Sequence, residues 1–219
     1  MAMYVKICGL STPETIETGL QCGANWIGFV FFPKSPRHVD YGKAKELVGP
    51  VRGKASIVAL TVNASDDELE AIDQSINPDI WQLHGAETPE RIQQIKKRYG
   101  RPVMKALSIR DKEDLAPIPL YEAVCDILLF DAKPPRDMNT ELPGGNGITF
   151  DWRLIQNLKL KKPFVLSGGL NPDNVAEAIR LTRPQGVDVS SGIESAPGIK
   201  DRQKIMDFVH AAKGAAKDL

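Results

Sequence analysis

The sequence has little cysteine, no long apolar run and no excess of charge of either sign. Its three cysteines, Cys8, Cys22 and Cys125, lie far apart and form no CxxC pair, which argues against a disulfide framework and a zinc site. No stretch of about 18 or more apolar residues is present, and Lys6 interrupts the apolar N-terminus, so we expect neither a membrane-spanning helix nor a signal peptide. The 28 basic and 28 acidic residues balance, so nothing favours a general nucleic-acid binder. We therefore expect a cytoplasmic protein with free thiols.

What the sequence does contain is a regular alternation of short apolar runs and helix-like segments. Its 219 residues, 42% of them hydrophobic, can bury one sizeable core, so we expect a single domain over 1–219. Eight runs rich in apolar and β-branched residues are typical of strands. They lie at 4–8, 26–32, 55–62, 79–84, 102–107, 126–131, 163–168 and 186–192.

The segments between these runs carry the start and stop signals of helices. In STPETIETGLQCG, Ser11 or Thr12 can cap the helix, Pro13 suits its first position and Gly23 its end. The Asn-Pro step of NPDNVAEAIRLT repeats the start signal. NASDDELEAIDQSI opens with acidic residues and TPERIQQIKKRYG ends with basic ones, as the helix dipole favours. The last segment, IKDRQKIMDFVHAAKGA, is amphipathic.

Strands that alternate with helices at a spacing of roughly 25 residues predict βαβ units and a parallel sheet. Eight such units predict a (β/α)8 barrel, and an open doubly wound sheet is the alternative. Against the open sheet, no GxGxxG follows the first strand, and the glycine-rich turns come after the seventh and eighth runs. Barrel enzymes often hold phosphate in those two loops, so the sequence predicts a phosphate site there.

Two turns, SGGLNPDNV and SSGIESAPGIKD, are the candidates for this phosphate site. Gly168 and Gly169 allow backbone N–H groups to approach a ligand closely. Ser191 and Gly192 open a short helix whose positive end favours an anion, and Ser190 ends the eighth strand beside them. Either turn alone is equally well explained as an ordinary strand-to-helix connection. Their joint position after the last two strands favours a phosphate-binding pair.

The first strand, YVKIC, aims a cation and a thiol at the same face, because side chains alternate along a strand. Cys8 ends this strand at the expected mouth of the barrel, and Lys6 lies one layer deeper. A neighbouring positive charge lowers the pKa of a thiol, so we expect Cys8 to be a usable base or nucleophile. A buried ammonium needs a partner, and Asp188 on the adjacent eighth strand is the candidate. The alternative role of a lone cysteine, a small buried hydrophobe, suits Cys22 and Cys125 better.

Asp131 closes the apolar run DILLFD and so emerges directly from the core. Partial burial there favours the protonated carboxyl group that acid catalysis needs, although N-capping or loop anchoring would also explain an aspartate at a strand end. The thiol and the carboxyl group come from opposite sides of the barrel and can flank a substrate. The next segment, 132–152, is rich in proline and glycine and too long for a simple connection, so we expect a lid, with disorder as the alternative.

Seven motifs, taken together and in order, resemble the phosphoribosylanthranilate isomerase family, barrel enzymes of tryptophan biosynthesis. They cover essentially the whole chain, and so many collinear motifs are far more specific than any one alone. One departure is Asn146 in the lid, where many relatives carry threonine. The motifs are KICG, GFVFFPKSPR, QLHG, LLFDAK, GGNGITFDW, LSGGLNPDNV and VDVSSGIESAPGIKD.

The resemblance implies an Amadori rearrangement of N-(5-phosphoribosyl)anthranilate by general acid–base catalysis. Cys8 matches the family's general base, and Asp131 matches its general acid. Arg37, which would otherwise be read as a solvated loop arginine, matches the residue that faces the anthranilate carboxylate. His84, at the end of the fourth strand, is expected to be a hydrogen-bonded support. The implied partner is a small-molecule phosphosugar substrate, and neither a metal nor a cofactor is expected.

Two other functions compete with this interpretation. The histidine-pathway aldose–ketose isomerase is also a barrel that performs an Amadori step. A resemblance to that family would imply aspartates as both the general acid and the general base, so Cys8 argues against it. A phosphosugar-binding barrel without catalysis would not need an acid and a base at its strand ends. The sequence leaves open whether the protein is a monomer or a homodimer, and we expect no second domain beside the barrel.

Overall fold

Eight parallel strands close into a barrel in the computed structural model of the protein, which describes residues 3–135 and 142–218. Each strand pairs with the next one in sequence, and the eighth pairs with the first. The predicted (β/α)8 barrel is confirmed, and the open sheet is wrong. The strands are β1 (Tyr4–Cys8), β2 (Trp26–Phe31), β3 (Ser56–Thr61), β4 (Ile80–Leu83), β5 (Val103–Ile109), β6 (Ile127–Ala132), β7 (Phe164–Leu166) and β8 (Gly186–Val189).

Helices of different lengths follow most of these strands. The first helix starts where the capping signals predict, because the side chain of Thr12 accepts a hydrogen bond from the N–H of Thr15, and Pro13 occupies the first helical position. The short helices after β2 and β5 were not among the predicted ones. The helices are α1 (Pro13–Gln21), α2 (Tyr41–Leu47), α3 (Asp66–Ile76), α4 (Pro89–Tyr99), α5 (Ile118–Glu122), α6 (Val175–Thr182) and α7 (Arg202–Ala215).

The helix after β7 begins later than the Asn-Pro signal predicts. The side chain of Asn171 accepts hydrogen bonds from the N–H groups of Asp173 and Asn174, at 2.9 and 3.1 Å. These bonds fold the segment into a local turn that competes with the first helical turn. As a result α6 starts only at Val175, and the loop that follows β7 is longer than expected.

Two further features shape the mouth of the barrel. The connection from β6 to β7 contains a short 3-10 helix, Trp152–Leu154. The predicted lid, 132–152, therefore overlaps the last residue of β6 and the first residue of this 3-10 helix. Residues 136–141 of the predicted lid lie outside the described residues. After β8 comes a 3-10 turn, Ser191–Ile193, and then a small antiparallel hairpin of β9 (Glu194–Ala196) and β10 (Ile199–Lys200). None of the described helices is long and apolar enough to cross a membrane.

The strands bury side chains on both faces, which explains why they appear as continuous apolar runs rather than as alternating ones. The larger core lies between the outside of the barrel and the helices. The inside of the barrel is filled in its lower part by apolar side chains, so the barrel is closed below and the upper end is left for polar groups. The lower interior side chains are Trp26, Val58, Ile80, Met104, Ala106, Leu129 and Val165.

Candidate active site

A cavity opens at the carboxyl ends of the strands. Its volume is about 730 Å³, part of which is continuous with solvent. Cys8 on β1 and Asp131 on β6 line this one cavity, so the two residues predicted as base and acid share a space as expected. The other predicted site residues in its wall are Arg37, His84, Gly168, Gly169, Asp188, Ser190 and Ser191.

The predicted ion pair between Lys6 and Asp188 is confirmed. The two residues are register partners on β1 and β8, and Lys6 Nζ lies 2.9 Å from Asp188 Oδ1. Lys6 is fully buried, and the Asp188 side chain is only 5% exposed. Burial alone would lower the pKa of Lys6, but Asp188 and Cys8 outweigh it, so the pKa of Lys6 is raised. Lys6 is therefore a permanent buried cation beneath Cys8.

Lys6 lowers the pKa of Cys8, as expected, but this influence is too small to make the net shift downward. Burial is the largest influence on this thiol and raises its pKa; Lys6 lowers it, and Asp188 raises it again. The net direction is upward because burial outweighs the attraction of Lys6, whose charge is also offset by the neighbouring Asp188 carboxylate. The raised pKa favours the protonated thiol, so Cys8 must lose a proton before it can act as a base.

Sequence reasoning missed Gly28, the residue on β2 that leaves room for this pair. A Cβ atom at Gly28 would lie 2.9 Å from Cys8 Sγ and 3.0 Å from Lys6 Nζ. Any side chain at this position would have to push the thiol or the ammonium aside. The glycine in WIGFVFF was the available signal, since glycine inside a strand often marks a close approach of other groups.

Asp131 is held by hydrogen bonds on both of its oxygens. Oδ1 accepts the N–H of Ala132 at 2.9 Å, and Oδ2 lies 3.0 Å from His84 Nε2. The other ring nitrogen of His84, Nδ1, lies 3.2 Å from the side-chain amide nitrogen of Gln82. His84 is thus a hydrogen-bonded support, as the strand-end position predicted, and Gln82 is a second support that sequence reasoning missed. The spacing of QLH was the available signal, because residues two apart on a strand share a face.

This chain of groups accommodates Asp131 with or without its proton. With the Gln82 amide nitrogen donating to Nδ1, the neutral ring of His84 carries its proton on Nε2 and donates to the Asp131 carboxylate. Oε1 of Gln82 is buried and has no hydrogen-bond partner among the described residues. Turning the amide over brings Oε1 to Nδ1, so that Nε2 can accept a proton from the carboxyl group.

Arg37 is buried rather than solvated. Its Nε and Nη2 atoms donate to the two carboxylate oxygens of Glu194 at 2.7 and 2.8 Å, and Nη2 also donates to the carbonyl of Gly145 at 3.2 Å. Lys200 Nζ lies 2.7 Å from the same carboxylate. Glu194 and Lys200 were not predicted as site residues, although both lie in the quoted segment SSGIESAPGIKD. Their contact with Arg37 could not be inferred locally, because Glu194 lies 157 residues from Arg37 in sequence.

The two glycine-rich turns lie side by side at the mouth. Gly168 and Gly169 have φ of 85° and 62°, the left-handed region in which glycine is favoured. Neither of their N–H groups donates a hydrogen bond within the part of the chain that the structure describes. Ser191 lines the cavity, whereas Gly192 is not in its wall and packs against the Leu170 carbonyl.

Ser190, which was predicted to bind phosphate, makes its hydrogen bonds to Cys8 and Lys200. Its hydroxyl donates to the carbonyl of Cys8 at 3.2 Å, and Lys200 Nζ lies 3.2 Å from the hydroxyl and 2.9 Å from the Ser190 carbonyl. These bonds tie the end of β8 to the end of β1. Ser190 therefore positions the backbone of Cys8 in this structure.

The described part of the predicted lid, 142–152, lies over the two sides of the cavity. A Cβ atom at Gly144 would lie 2.7 Å from His84 Nε2 and would also meet Asp131 Oδ2. The next residue, Gly145, contacts Arg37 through its carbonyl. Asn146 lines the cavity, and its amide donates to the carbonyl of Leu142 at 3.2 Å. The segment thus covers both Asp131 and Arg37.

Comparison with known proteins identifies the family. Residues 5–211 match the profile of the N-(5'-phosphoribosyl)anthranilate (PRA) isomerase family. The N-(5'-phosphoribosyl)anthranilate isomerase of Nitrobacter winogradskyi is 54% identical over 219 residues, which are 100% of this chain and 96% of that protein. The chain belongs to this family. The isomerase of Rhodopseudomonas palustris is 53% identical over 98% of this chain and 100% of that protein.

Solved structures of family members share the fold. The phosphoribosyl anthranilate isomerase of Thermotoga maritima has a TM-score of 0.86 and 35% identity, over 97% of this chain and 99% of that one. A phosphoribosyl anthranilate isomerase in complex with reduced 1-(o-carboxyphenylamino)-1-deoxyribulose 5-phosphate has a TM-score of 0.84 and 33% identity, with 97% and 99% of the two chains covered. The family resemblance inferred from the motifs is confirmed.

Proposed function

We propose that this chain catalyses the Amadori rearrangement of N-(5'-phosphoribosyl)anthranilate to 1-(2-carboxyphenylamino)-1-deoxyribulose 5-phosphate, a step of tryptophan biosynthesis. The observation that carries the proposal is the placement of Cys8 and Asp131 in the wall of one cavity, on strands β1 and β6 of a closed barrel. A thiol and a carboxyl group that face one space can act on the same sugar from two sides. Membership of the PRA isomerase family supports this substrate.

The first step opens the furanose ring. Asp131 donates a proton to the ring oxygen while the bond between that oxygen and C1 breaks, and the nitrogen lone pair forms the C1=N bond of an iminium ion. His84 holds Oδ2 of Asp131 at 3.0 Å, and the Gln82 amide allows the ring of His84 to accept a hydrogen bond from the protonated acid. These supports fix the direction in which the acid presents its proton.

The second step removes the C2 proton. The thiolate of Cys8 takes this proton, the electrons of the C–H bond form the C1=C2 bond, and the C1=N electrons return to nitrogen, which gives an enolamine. Loss of the 2-hydroxyl proton and protonation of C1 then produce the ketone. The hydrogen count of the sugar is unchanged, and the cycle closes when the proton on Cys8 is replaced by one on Asp131. The cation Lys6 beneath Cys8 favours the thiolate that this step requires.

The ends of the substrate find complementary groups in the same cavity. Arg37, a buried cation in the wall, is the group we assign to the anthranilate carboxylate. The N–H groups of Gly168 and Gly169, together with the turn at Ser191, are assigned to the phosphate. This arrangement places the reacting C1 and C2 atoms between the two anchors. We place the protein in the cytoplasm, in keeping with its free cysteines.

Fluorescence of the anthranilate group, followed as the substrate is consumed, tests the proposal directly. We expect turnover by the purified protein and a loss on the order of 100-fold or more in kcat for Cys8→Ser and for Asp131→Asn, the usual scale for groups that transfer protons. Matched controls are Cys22→Ser, away from the cavity, and Asp207→Asn, on the exposed face of α7. Near-normal turnover by either test variant would contradict the assignment of acid and base.

A further inference from the structure

A cluster of three buried charges stands at the mouth of the barrel and takes no part in the proton transfers. It consists of Arg37, Glu194 and Lys200, whose side chains are 7%, 5% and 1% exposed. The carboxylate of Glu194 is shared: its Oε1 atom lies 2.7 Å from Arg37 Nε and 2.7 Å from Lys200 Nζ. Two cations therefore share one anion, and the cluster keeps one positive charge in excess.

The fold itself brings this cluster together. Glu194 on β9 and Lys200 on β10 are register partners in the hairpin that follows β8, so their side chains meet across the two strands. Lys200 is fixed further by the carbonyl and hydroxyl oxygens of Ser190, at 2.9 and 3.2 Å. Ser190 in turn donates to the carbonyl of Cys8. The hairpin is thus anchored to the strand that carries the proposed base.

The carboxylate of Glu194 sets the orientation of the Arg37 guanidinium. A bidentate contact through Nε and Nη2 fixes both the plane and the rotation of the group. The remaining terminal nitrogen, Nη1, has no hydrogen-bond acceptor among the residues that the structure describes. It is the nitrogen left to bind a ligand anion in the cavity wall.

We propose that Glu194 and Lys200 are positioning residues that hold Arg37 in the orientation in which it recognises the aromatic carboxylate of the substrate. The inference rests on the proposed function and goes beyond it, because it assigns carboxylate specificity to a hairpin outside the barrel. Holding the guanidinium in place before the ligand arrives removes part of the ordering cost of binding. The excess positive charge of the cluster favours an anion at this position.

The pKa shifts of the cluster agree with an excess of positive charge. Burial opposes the charged form of Glu194, but Arg37 and Lys200 outweigh it, and the pKa of Glu194 is lowered. For Lys200, burial outweighs the attraction of Glu194, and the pKa falls to about 8. At pH 7 Lys200 is therefore still mostly protonated, and the cluster keeps its surplus positive charge.

Binding of two ligands that differ only in the carboxylate tests this inference. The probes are reduced 1-(o-carboxyphenylamino)-1-deoxyribulose 5-phosphate and the same compound without the carboxyl group, each titrated against the purified protein. For Glu194→Gln we expect about tenfold weaker binding of the carboxylated probe, within the range for coupled neighbouring groups. Binding of the probe without the carboxylate should change less than about twofold. Lys200→Met should act in the same direction, and the control Glu46→Gln, on an exposed side chain, should change neither.

A double-mutant cycle separates positioning from a general structural effect. If Glu194 acts through Arg37, then Glu194→Gln has no further effect on the carboxylated probe in an Arg37→Ala background. Steady-state kinetics should show the single change mainly in KM rather than in kcat. If Glu194→Gln does not fold, Glu194→Asp supplies the same comparison, because it keeps the charge and withdraws it by one methylene group.

Two outcomes would overturn the inference. One is an unchanged preference for the carboxylated probe in the Glu194 variants, and the other is a wild-type protein that binds both probes equally. Turnover of the full substrate by the wild-type protein tests the proposed function separately. A protein that turns over the substrate but whose Glu194 variants retain the carboxylate preference would leave the function intact and exclude this role.

Discussion

Opposite substitutions in the buried pair beneath Cys8 should move the reactivity of its thiol in opposite directions. Asp188→Asn removes the carboxylate that pairs with Lys6 at 2.9 Å, so the full field of the ammonium acts on Cys8 and its pKa should fall. Lys6→Met removes the cation, and the pKa of Cys8 should rise further. These directions follow from the opposite influences of Lys6 and Asp188 on this thiol.

Both substitutions should destabilise the protein, because each leaves a buried charge without its partner. Lys6 is fully buried and Asp188 nearly so, and the loss of one member of such a pair costs about 3–5 kcal/mol in the free energy of unfolding. For a domain of this size, 1 kcal/mol corresponds to about 2–4 °C, so we expect Tm to fall by roughly 6–20 °C. Thermal unfolding followed by circular dichroism measures this loss.

The pH dependence of iodoacetamide alkylation at Cys8, read by peptide mass spectrometry, measures the change in thiol pKa. Alkylation of the other two cysteines in the same samples reports any general loosening of the fold. Cys125 should react slowly in a folded protein, because burial raises its pKa to about 11. We expect the Cys8 profile to move to lower pH in Asp188→Asn and to higher pH in Lys6→Met. Profiles that move together, or not at all, would refute the reasoning that one ion pair sets the protonation of Cys8.

Three further predictions concern the thiol of Cys8, the space that Gly28 leaves for it and a second buried ion pair. Because burial raises the pKa of Cys8, the rate at which iodoacetamide alkylates this thiol in the wild-type protein should still be rising at about pH 8.5, the pKa of an ordinary thiol, and a rate that has already levelled off there would contradict the raised pKa. Gly28→Ala should lower kcat because a Cβ atom would lie 2.9 Å from the Cys8 sulfur, whereas Gly49→Ala, with no atom within 4 Å, should not; equal kcat values for the two variants would show that the close contact is immaterial. Lys105→Met should cost about 3–5 kcal/mol in the free energy of unfolding, since it removes the cation that lies 2.8 Å from the Glu87 carboxylate, which is only 4% exposed. Denaturant unfolding measures this loss, and a value below about 1 kcal/mol would contradict the prediction.

Much of the architecture follows from local sequence patterns. The eight apolar runs correspond to the eight strands within a few residues at each end, because apolar periodicity and flanking turn residues are local properties. The start of a helix could be predicted where a side chain caps that helix, as Thr12 does. It could not be predicted where a local turn competes with the first helical turn, as at Asn171. The chemistry-bearing residues Cys8 and Asp131 could be found because a barrel gathers the ends of its strands at one mouth.

Contacts between distant segments decided the rest. The pair of Lys6 with Asp188 was predictable only because a closed barrel makes the first and last strands neighbours. The ion pair of Glu194 with Arg37 depends on how the hairpin after β8 folds back over the mouth of the barrel. No residue near Glu194 or Arg37 in the sequence specifies this position of the hairpin.

The sequence by itself determined the order of strands and helices, the family and the types of reactive group at the mouth. Tertiary structure decided the protonation of Cys8 and the orientation of Arg37. The physical reason is that a pKa and a side-chain orientation depend on burial and on every charge within a few ångströms. Those neighbours come from segments that only the folded chain brings together.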